Sequence, residues 1–282
     1  MRATLLPLLI LIPLHASAQP APDPHRPLLL SAEQAFAHDR PADALKLLDD
    51  YIAKSPANPR AHLLRGAVHD HTRSFDKSVA DYTRAVELDS SLAPAWQRRG
   101  VAHFMLAKPK EAVADFDKYL DLRPGEKPQH WQRGIALYYA GRYDDGVKQF
   151  ELHRTANPDD VENAAWHFLC LARAKSLDAA RAALIPVQGD ARVPMAQIHA
   201  LYAGKATPAD VLDAARAGEP NPTQLNRHLF YAHLYLGLHH EALNQPEKAK
   251  EHLTLAAEKH VVPDYMHAVA KVHLQLQKPT AK

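Results

Sequence analysis

Nineteen histidines and a single cysteine dominate the side chains in this 282-residue chain that could hold a metal or carry a proton. His69 and His71 lie two apart, His239 and His240 are adjacent, and His167 stands three before Cys170. Imidazoles and a thiolate at such spacings are the ligands of zinc sites. The adjacent carboxylates Asp49-Asp50, Asp144-Asp145 and Asp159-Asp160 are the groups that general acid–base work would use. Cys170 would act as a nucleophile only in an exposed, electropositive setting. The sequence has no GxSxG, HExxH, P-loop or glycine-rich phosphate cradle. One cysteine makes no intramolecular disulfide and no cysteine-rich zinc site, so the fold stands on its apolar core.

What these groups can do depends on the elements that carry them, and those follow from a repeat. Gly66, Gly100 and Gly134 are 34 residues apart and each follows an arginine, in LLRGAVH, QRRGVAH and QRGIALY. A mid-helix glycine costs about 1 kcal/mol relative to alanine, so three at one phase mark a close helix approach. Twelve residues on stand the small residues Ser78, Ala112 and Gly146, and four further the rings Tyr82, Phe116 and Phe150. Small residues let antiparallel helices cross closely, and the ring fills the space beside the crossing. Ser90, Pro124 and Pro158 follow, where proline ends the second helix. The frame extends upstream to Ala44, Leu48 and Pro56, and downstream to Phe168, Ala180 and Leu184. It returns with Gly237, Ala249, Leu253 and Ala256.

These residues resemble the tetratricopeptide repeat, a 34-residue helix–turn–helix unit. The resemblance implies an all-α, right-handed superhelical solenoid of antiparallel helix pairs over residues 28–277. Its units are expected at 28–58, 59–92, 93–126, 127–160 and 161–190, with a degenerate unit at 191–222, a last one at 223–262 and a capping helix at 264–277. The segment RGIALYYAGR at 133–142, the NPDD at 157–160, the helix around Trp166 and the stretches FYAHLYLGLHHEALNQPEKAKEHLTLAA and VVPDYMHAVAKVHLQL are similar to bacterial cell-envelope proteins of the NlpI type. That resemblance implies a dimeric scaffold that brings peptidoglycan hydrolases and a processing protease together. Members of that family are lipid-anchored at a cysteine directly after the signal, and here the only cysteine is Cys170.

Residues 1–18 read as a cleaved secretory signal, with Arg2 as the basic start, an apolar run of 12 residues from Ala3 to Leu14, and Ala16-Ser17-Ala18 before the cut. A run of 12 is too short for a bilayer, which takes about 20 residues. The mature chain is therefore expected in the periplasm or secreted, without an integral membrane segment. Residues 19–27, QPAPDPHRP, form a proline-rich tether. The formal charge of +2 offers no field to hold a phosphate backbone, so no nucleic-acid partner is expected.

Placed in the repeat frame, the chemistry recedes. His62, His130 and His233 fall at the fourth position of a unit, beside Trp96 in the same role, and His69, His103 and His240 at the eleventh. Both are positions for a ring packed between helices. Cys170 takes the place of Val68, Ala102 and Ala136, that of a buried and inert thiol. The carboxylate pairs lie near helix ends and cap them. Binding is expected instead on the concave face, lined by Gln97, Arg98, Val101, Phe104 and Met105, then Trp131, Ile135, Tyr138 and Tyr139, then Trp166, Leu169 and Arg173. Large aromatic side chains supply area at low entropic cost. The second unit offers Arg60, Leu63, Leu64 and Ala67, which is not the Lys/Asn set that grips a C-terminal carboxylate in chaperone-type repeats. The expectation is a non-catalytic scaffold without cofactor that binds a protein or peptide, possible as a homodimer. The alternative is a histidine-rich metal-binding or hydrolytic protein on the same stack, and His69, His71 and His103 are the residual place for a metal.

Overall fold

Proline opens most of the helices, standing at the first or second helical position as Pro27, Pro41, Pro59, Pro94, Pro109, Pro208, Pro222 and Pro246. There its missing N–H forfeits no helical bond. A computed structural model describes residues 23–277; the expected signal (1–18) and residues 19–22 of the expected tether lie outside the described residues. The first four pairs are α1 (Arg26–Ala37) with α2 (Pro41–Lys54), α3 (Pro59–His71) with α4 (Phe75–Leu88), α5 (Ala93–Met105) with α6 (Pro109–Leu122), and α7 (Trp131–Tyr139) with α8 (Tyr143–His153). A 3-10 turn over Pro124–Gln129 precedes α7. Then come α9 (Val161–Ala174), α10 (Leu177–Ala182), α11 (Met195–Tyr202), α12 (Pro208–Arg216), α13 (Pro222–Ala242) and α14 (Pro246–Thr254), which runs into a π-helical turn over Leu255–Lys259. The last is α15 (Tyr265–Leu276). Among the described residues there is no strand, and α1 starts inside the expected tether.

Three devices recur with the 34-residue period. A Cβ on Gly66, Gly100 or Gly134 would come within 2.5–2.6 Å of the ring of Tyr82, Phe116 or Phe150, so each glycine is the seat of the ring of its own unit. At the turn inside each pair, Asp39, Arg73, Ala107 and Gly141 take φ of 54°, 57°, 57° and 75°. The residue after each donates its N–H to the carbonyl five residues back, Arg40 to Ala35, Ser74 to His69, Lys108 to His103 and Arg142 to Leu137. That bond holds three non-glycine residues in the left-handed region. The third device is the arginine before each glycine. Arg65 bonds Asp81 of its own unit and Asp49 of the unit before, Arg99 bonds Asp115 and Thr83, and Arg133 bonds Gln149 and Asp117.

Beyond α10 the stack departs from a plain solenoid. The chain from 183 to 194 is irregular, and the degenerate pair α11–α12 is short. The 21-residue α13 lies against α9, where Tyr235 donates to Glu162 at 2.7 Å and Tyr202 to the carbonyl of Tyr235 at 3.0 Å. Glu241 near its end accepts from Tyr138 at 3.1 Å and from Arg173 at 2.7 Å. Besides packing on α14, α15 reaches back to α5. One continuous core therefore runs from Phe104 to Val272, while α1 to α5 carry two small clusters around Leu48 and Val86.

Candidate functional site

The aromatic residues expected on the concave face do come together. Ring centroids lie 5.7 Å apart for Phe104–Tyr139, 5.2 Å for Tyr138–Tyr139, 5.5 Å for Tyr138–Trp166 and 6.1 Å for Tyr139–Trp166. They do not form an open wall. Tyr265 of α15 stacks on Phe104 at 5.6 Å and meets Trp131 edge-on at 5.0 Å, and Tyr139 bonds Nδ1 of His273 at 3.1 Å. Phe104, Ile135, Tyr138, Trp166 and Leu169, expected to face a partner, are buried. The reason is the return of α13 and α15 over α5, α7 and α9. Val101, Met105, Trp131 and Tyr139 are half-buried, and Arg98 is exposed. Gln97 bridges units, donating to Gln132 at 2.8 Å while its carbonyl oxygen meets His130 Nε2 at 2.6 Å. Arg173 is tied to Glu241.

Between α7, α9, α13 and the start of α15 the fold leaves a cavity of about 550 Å³. Trp131, Phe150, Trp166, Tyr231 and Tyr265 line it, together with Asp160, Glu162, Asn163, Arg192 and Asp264. Asp160 caps α9, accepting from the Glu162 N–H at 3.0 Å, and Asp264 caps α15, accepting from the His267 N–H at 3.1 Å. Arg192 is wholly committed, to Asp160 at 2.6 Å, Glu162 at 2.5 Å and Asp190 at 2.6 and 2.9 Å. Burial pushes the Glu162 carboxyl up to about 6. Burial acts the same way on Asp190, but the bonds from Arg192 and from the N–H of Val161 outweigh it and hold its carboxyl below the usual range. Asn163 Oδ1, Trp166 Nε1 and Tyr265 OH are buried without a hydrogen-bond partner. Of this cavity's lining, the repeat frame assigns Trp131, Ile135 and Trp166 to the concave face and Phe150 to the ring of its unit. Asp160 in NPDD was visible as a cap, whereas Arg192 comes from the irregular segment, where no periodicity assigns it a neighbour.

The histidines pack. His62, His130, His233 and His240 are buried, and His69 and His103 lie beside Asp81 and Asp115 at 3.8 and 3.7 Å. His71 turns away to Asp39 at 3.1 Å, so His69, His71 and His103 do not converge. Among the described residues no three of His, Cys, Asp and Glu are placed to hold one metal ion. Cys170 is fully buried against Gly146, and burial pushes its thiol far up. No described helix is long and apolar enough to cross a membrane.

The family profile described as tetratricopeptide repeat matches residues 29–93. Among solved structures, a tetratricopeptide repeat protein from Parabacteroides merdae is 16% identical, covers 89% of this chain and 98% of its own, and superposes with a TM-score of 0.59. The MamA protein is 15% identical over 55% of this chain and 85% of its own, with a TM-score of 0.52. No curated protein matches in sequence. The chain is thus an all-α solenoid with the tetratricopeptide-repeat fold, and residues 29–93 carry the repeat's family signature.

Proposed function

We propose that this chain is a non-catalytic tetratricopeptide-repeat scaffold of the bacterial envelope, exported to the periplasm or beyond, which binds protein or peptide partners on its concave side and works as a homodimer. The observation that carries the reading is α15. Its Tyr265 and His273 are held by Phe104, Trp131 and Tyr139, so the residues expected to line a groove already receive a helix, and helix-in-groove is a common mode of partner recognition. A non-catalytic role is supported by the inert setting of Cys170 and by histidines engaged in packing. Peptidoglycan hydrolases and a processing protease are the partner classes that the family resemblance suggests.

The test uses residues 19–282 as bait in an envelope extract, beside an Arg98→Glu, Trp131→Ala variant with an unchanged circular-dichroism spectrum. Proteins retained by the parent and lost from the variant identify the partner and the face. Equal capture by both moves binding off the concave side. Sedimentation of the same sample reports the dimer, and a strict monomer at micromolar concentration removes that part of the reading.

A further inference from the structure

Resting on that peptide-binding reading, we propose that the cavity between α7, α9, α13 and α15 receives a primary ammonium group carried by a peptide. Three independent features of its lining point there. The walls are rings, among them Trp131, Trp166, Tyr231 and Tyr265, and aromatic faces attract cations through their quadrupoles.

The charge is one-sided. Asp160, Glu162 and Asp190 share the single guanidinium of Arg192, whose Nε, Nη1 and Nη2 all bond to them. Asp264, also in the lining, accepts from the Tyr231 hydroxyl at 3.1 Å, and its salt-bridge partner Arg227 stands off at 3.8 Å. The carboxylates around Arg192 therefore exceed it by two charges at neutral pH. Such a surplus in a half-enclosed, aromatic site repels carboxylate and phosphate and attracts a cation. A bound ammonium would also favour the charged form of Glu162, which burial alone disfavours.

The third feature is unmet hydrogen-bonding capacity. Asn163 and Trp166 are 3% and 1% exposed, and their Oδ1 and Nε1, like the hydroxyl of Tyr265, have no partner. An ammonium offers three N–H donors and no acceptor, so it suits the two oxygens. The indole N–H can only donate, and a peptide carbonyl next to the ammonium would meet it. An isolated cation would leave that donor unsatisfied, which is why a peptide is the carrier. A cavity of about 550 Å³ has room for one or two residues.

The chain has three tryptophans, so three indole N–H signals report the test. Trp131 and Trp166 line the cavity, while Trp96 donates to the Ser90 carbonyl at 2.9 Å outside it and serves as an internal reference. Three probes of similar size are titrated near neutral pH into residues 19–282. They are Nα-acetyl-lysinamide with a side-chain ammonium, norleucinamide with a terminal ammonium, and Nα-acetyl-norleucinamide with none. The expected result is saturable movement of the Trp131 and Trp166 signals with a midpoint on the order of 1 mM for at least one ammonium probe, with Trp96 still. Whichever ammonium probe binds names the source, a lysine side chain or a free amino terminus. Glu162 accepts from Arg192 on one oxygen and from Tyr235 on the other; Glu162→Gln keeps the size of the side chain and one of these two bonds, and it should weaken binding at least about tenfold. Asp264→Asn retains a capping residue for α15 and provides a second, independent loss. Equal binding of the neutral probe, or no saturable movement well above that midpoint, overturns the inference. The two proposals fail separately: a partner captured by the bait and indifferent to all three probes leaves the scaffold standing without the ammonium site. Ammonium binding without any captured partner does the reverse.

Discussion

Arg65, Arg99 and Arg133 each join two units, and the middle one is the most demanding. Arg99 bonds both oxygens of Asp115, at 2.9 and 2.7 Å, reaches Thr83 at 3.1 Å and lies over the Trp96 ring at 4.7 Å. Asp115 is 4% exposed, so Arg99→Met would strand a buried carboxylate, and breaking such a pair costs about 3–5 kcal/mol. Arg133 meets the neutral Gln149 in the corresponding place, and its other partner, Asp117, is half-exposed; Arg133→Met is expected to cost about 1 kcal/mol. Urea unfolding of the two variants checks the order. Equal losses, or a loss at Arg99 no larger than at an exposed arginine, would show that the arginines do not clamp the units. The sequence displays these arginines beside the three glycines Gly66, Gly100 and Gly134, yet their partners lie 16 residues away on either side, in positions that vary among Asp, Thr and Gln. Their role was therefore legible only once the helices were stacked.

Within the last regular pair, α13, α14 and the π-helical turn bring four imidazoles into a column. His233 and His252 meet Nδ1 to Nδ1 at 2.8 Å, His260 stacks on His233 at 5.3 Å, and His240 stacks on His252 at 5.4 Å. One of the two facing nitrogens must donate, so the pair holds a single proton between them. Arg216 and Lys259 add positive charge, and Glu251 is the carboxylate that opposes it. Burial and then this crowding hold His233 down to about 4, and His252 and His260 are lowered as well; beside the column, burial and then the charges of His240 and Arg181 hold His239 down to about 4. The unfolded chain binds protons from about 6.5 downward, whereas the folded one refuses them until about 4. Their contribution to stability is whole above about 6.5 and falls away as the pH drops towards 4. Glu162, raised to about 6, works in the opposite sense between 6 and its ordinary 4.5, and Asp70, also raised by burial, adds to it, two carboxyls against the larger number of lowered histidines. The melting temperature should therefore fall on acidification through this range, and His252→Gln, which keeps a hydrogen-bonding side chain opposite His233, should flatten the fall. A profile unchanged by the variant would place the acid sensitivity elsewhere. The histidine doublet at 239–240 hinted at a site, and the repeat frame correctly placed His233 and His240 between helices; what the frame lacked was His252 and His260, which come from the second helix and the turn beyond it.

For the molecule as a whole, the distinction is between a periodic N-terminal half and a C-terminal half that folds back on it. Period, glycines and rings made the helix pairs legible up to α10. The rings expected on the concave face do meet, Phe104 and Tyr138 against Tyr139, and Phe104 and Trp131 against Tyr265. Their covering was not foreseen, because the degenerate unit breaks the period and nothing in a repeat states which way the chain turns after it. One signal was present: the run from Phe230 to His240 is apolar or aromatic around the whole helix, and such a helix is buried on every side. The consequence concerns α15, which carries the last ring onto the concave side. Deleting residues 264–282 should remove Tyr265 from Phe104 and Trp131 and His273 from Tyr139. The deletion also removes the buried Met266, Val269 and Val272, and truncating one buried Met alone costs about 2–5 kcal/mol, so the truncated chain should melt earlier, lose solubility as it exposes those rings, and show tryptophan emission shifted to the red as Trp131 becomes wet. A synthetic peptide of residues 262–277 added to it should reverse the shift, and the same peptide with Tyr265→Ala should not. Reversal means that the concave side binds a helix in trans by its rings, which is the property a scaffold needs in order to exchange its own segment for that of a partner. Were the truncated chain as stable and as blue in emission as the parent, α15 would contribute nothing to the concave side, and the case for a helix-receiving groove would fall with it.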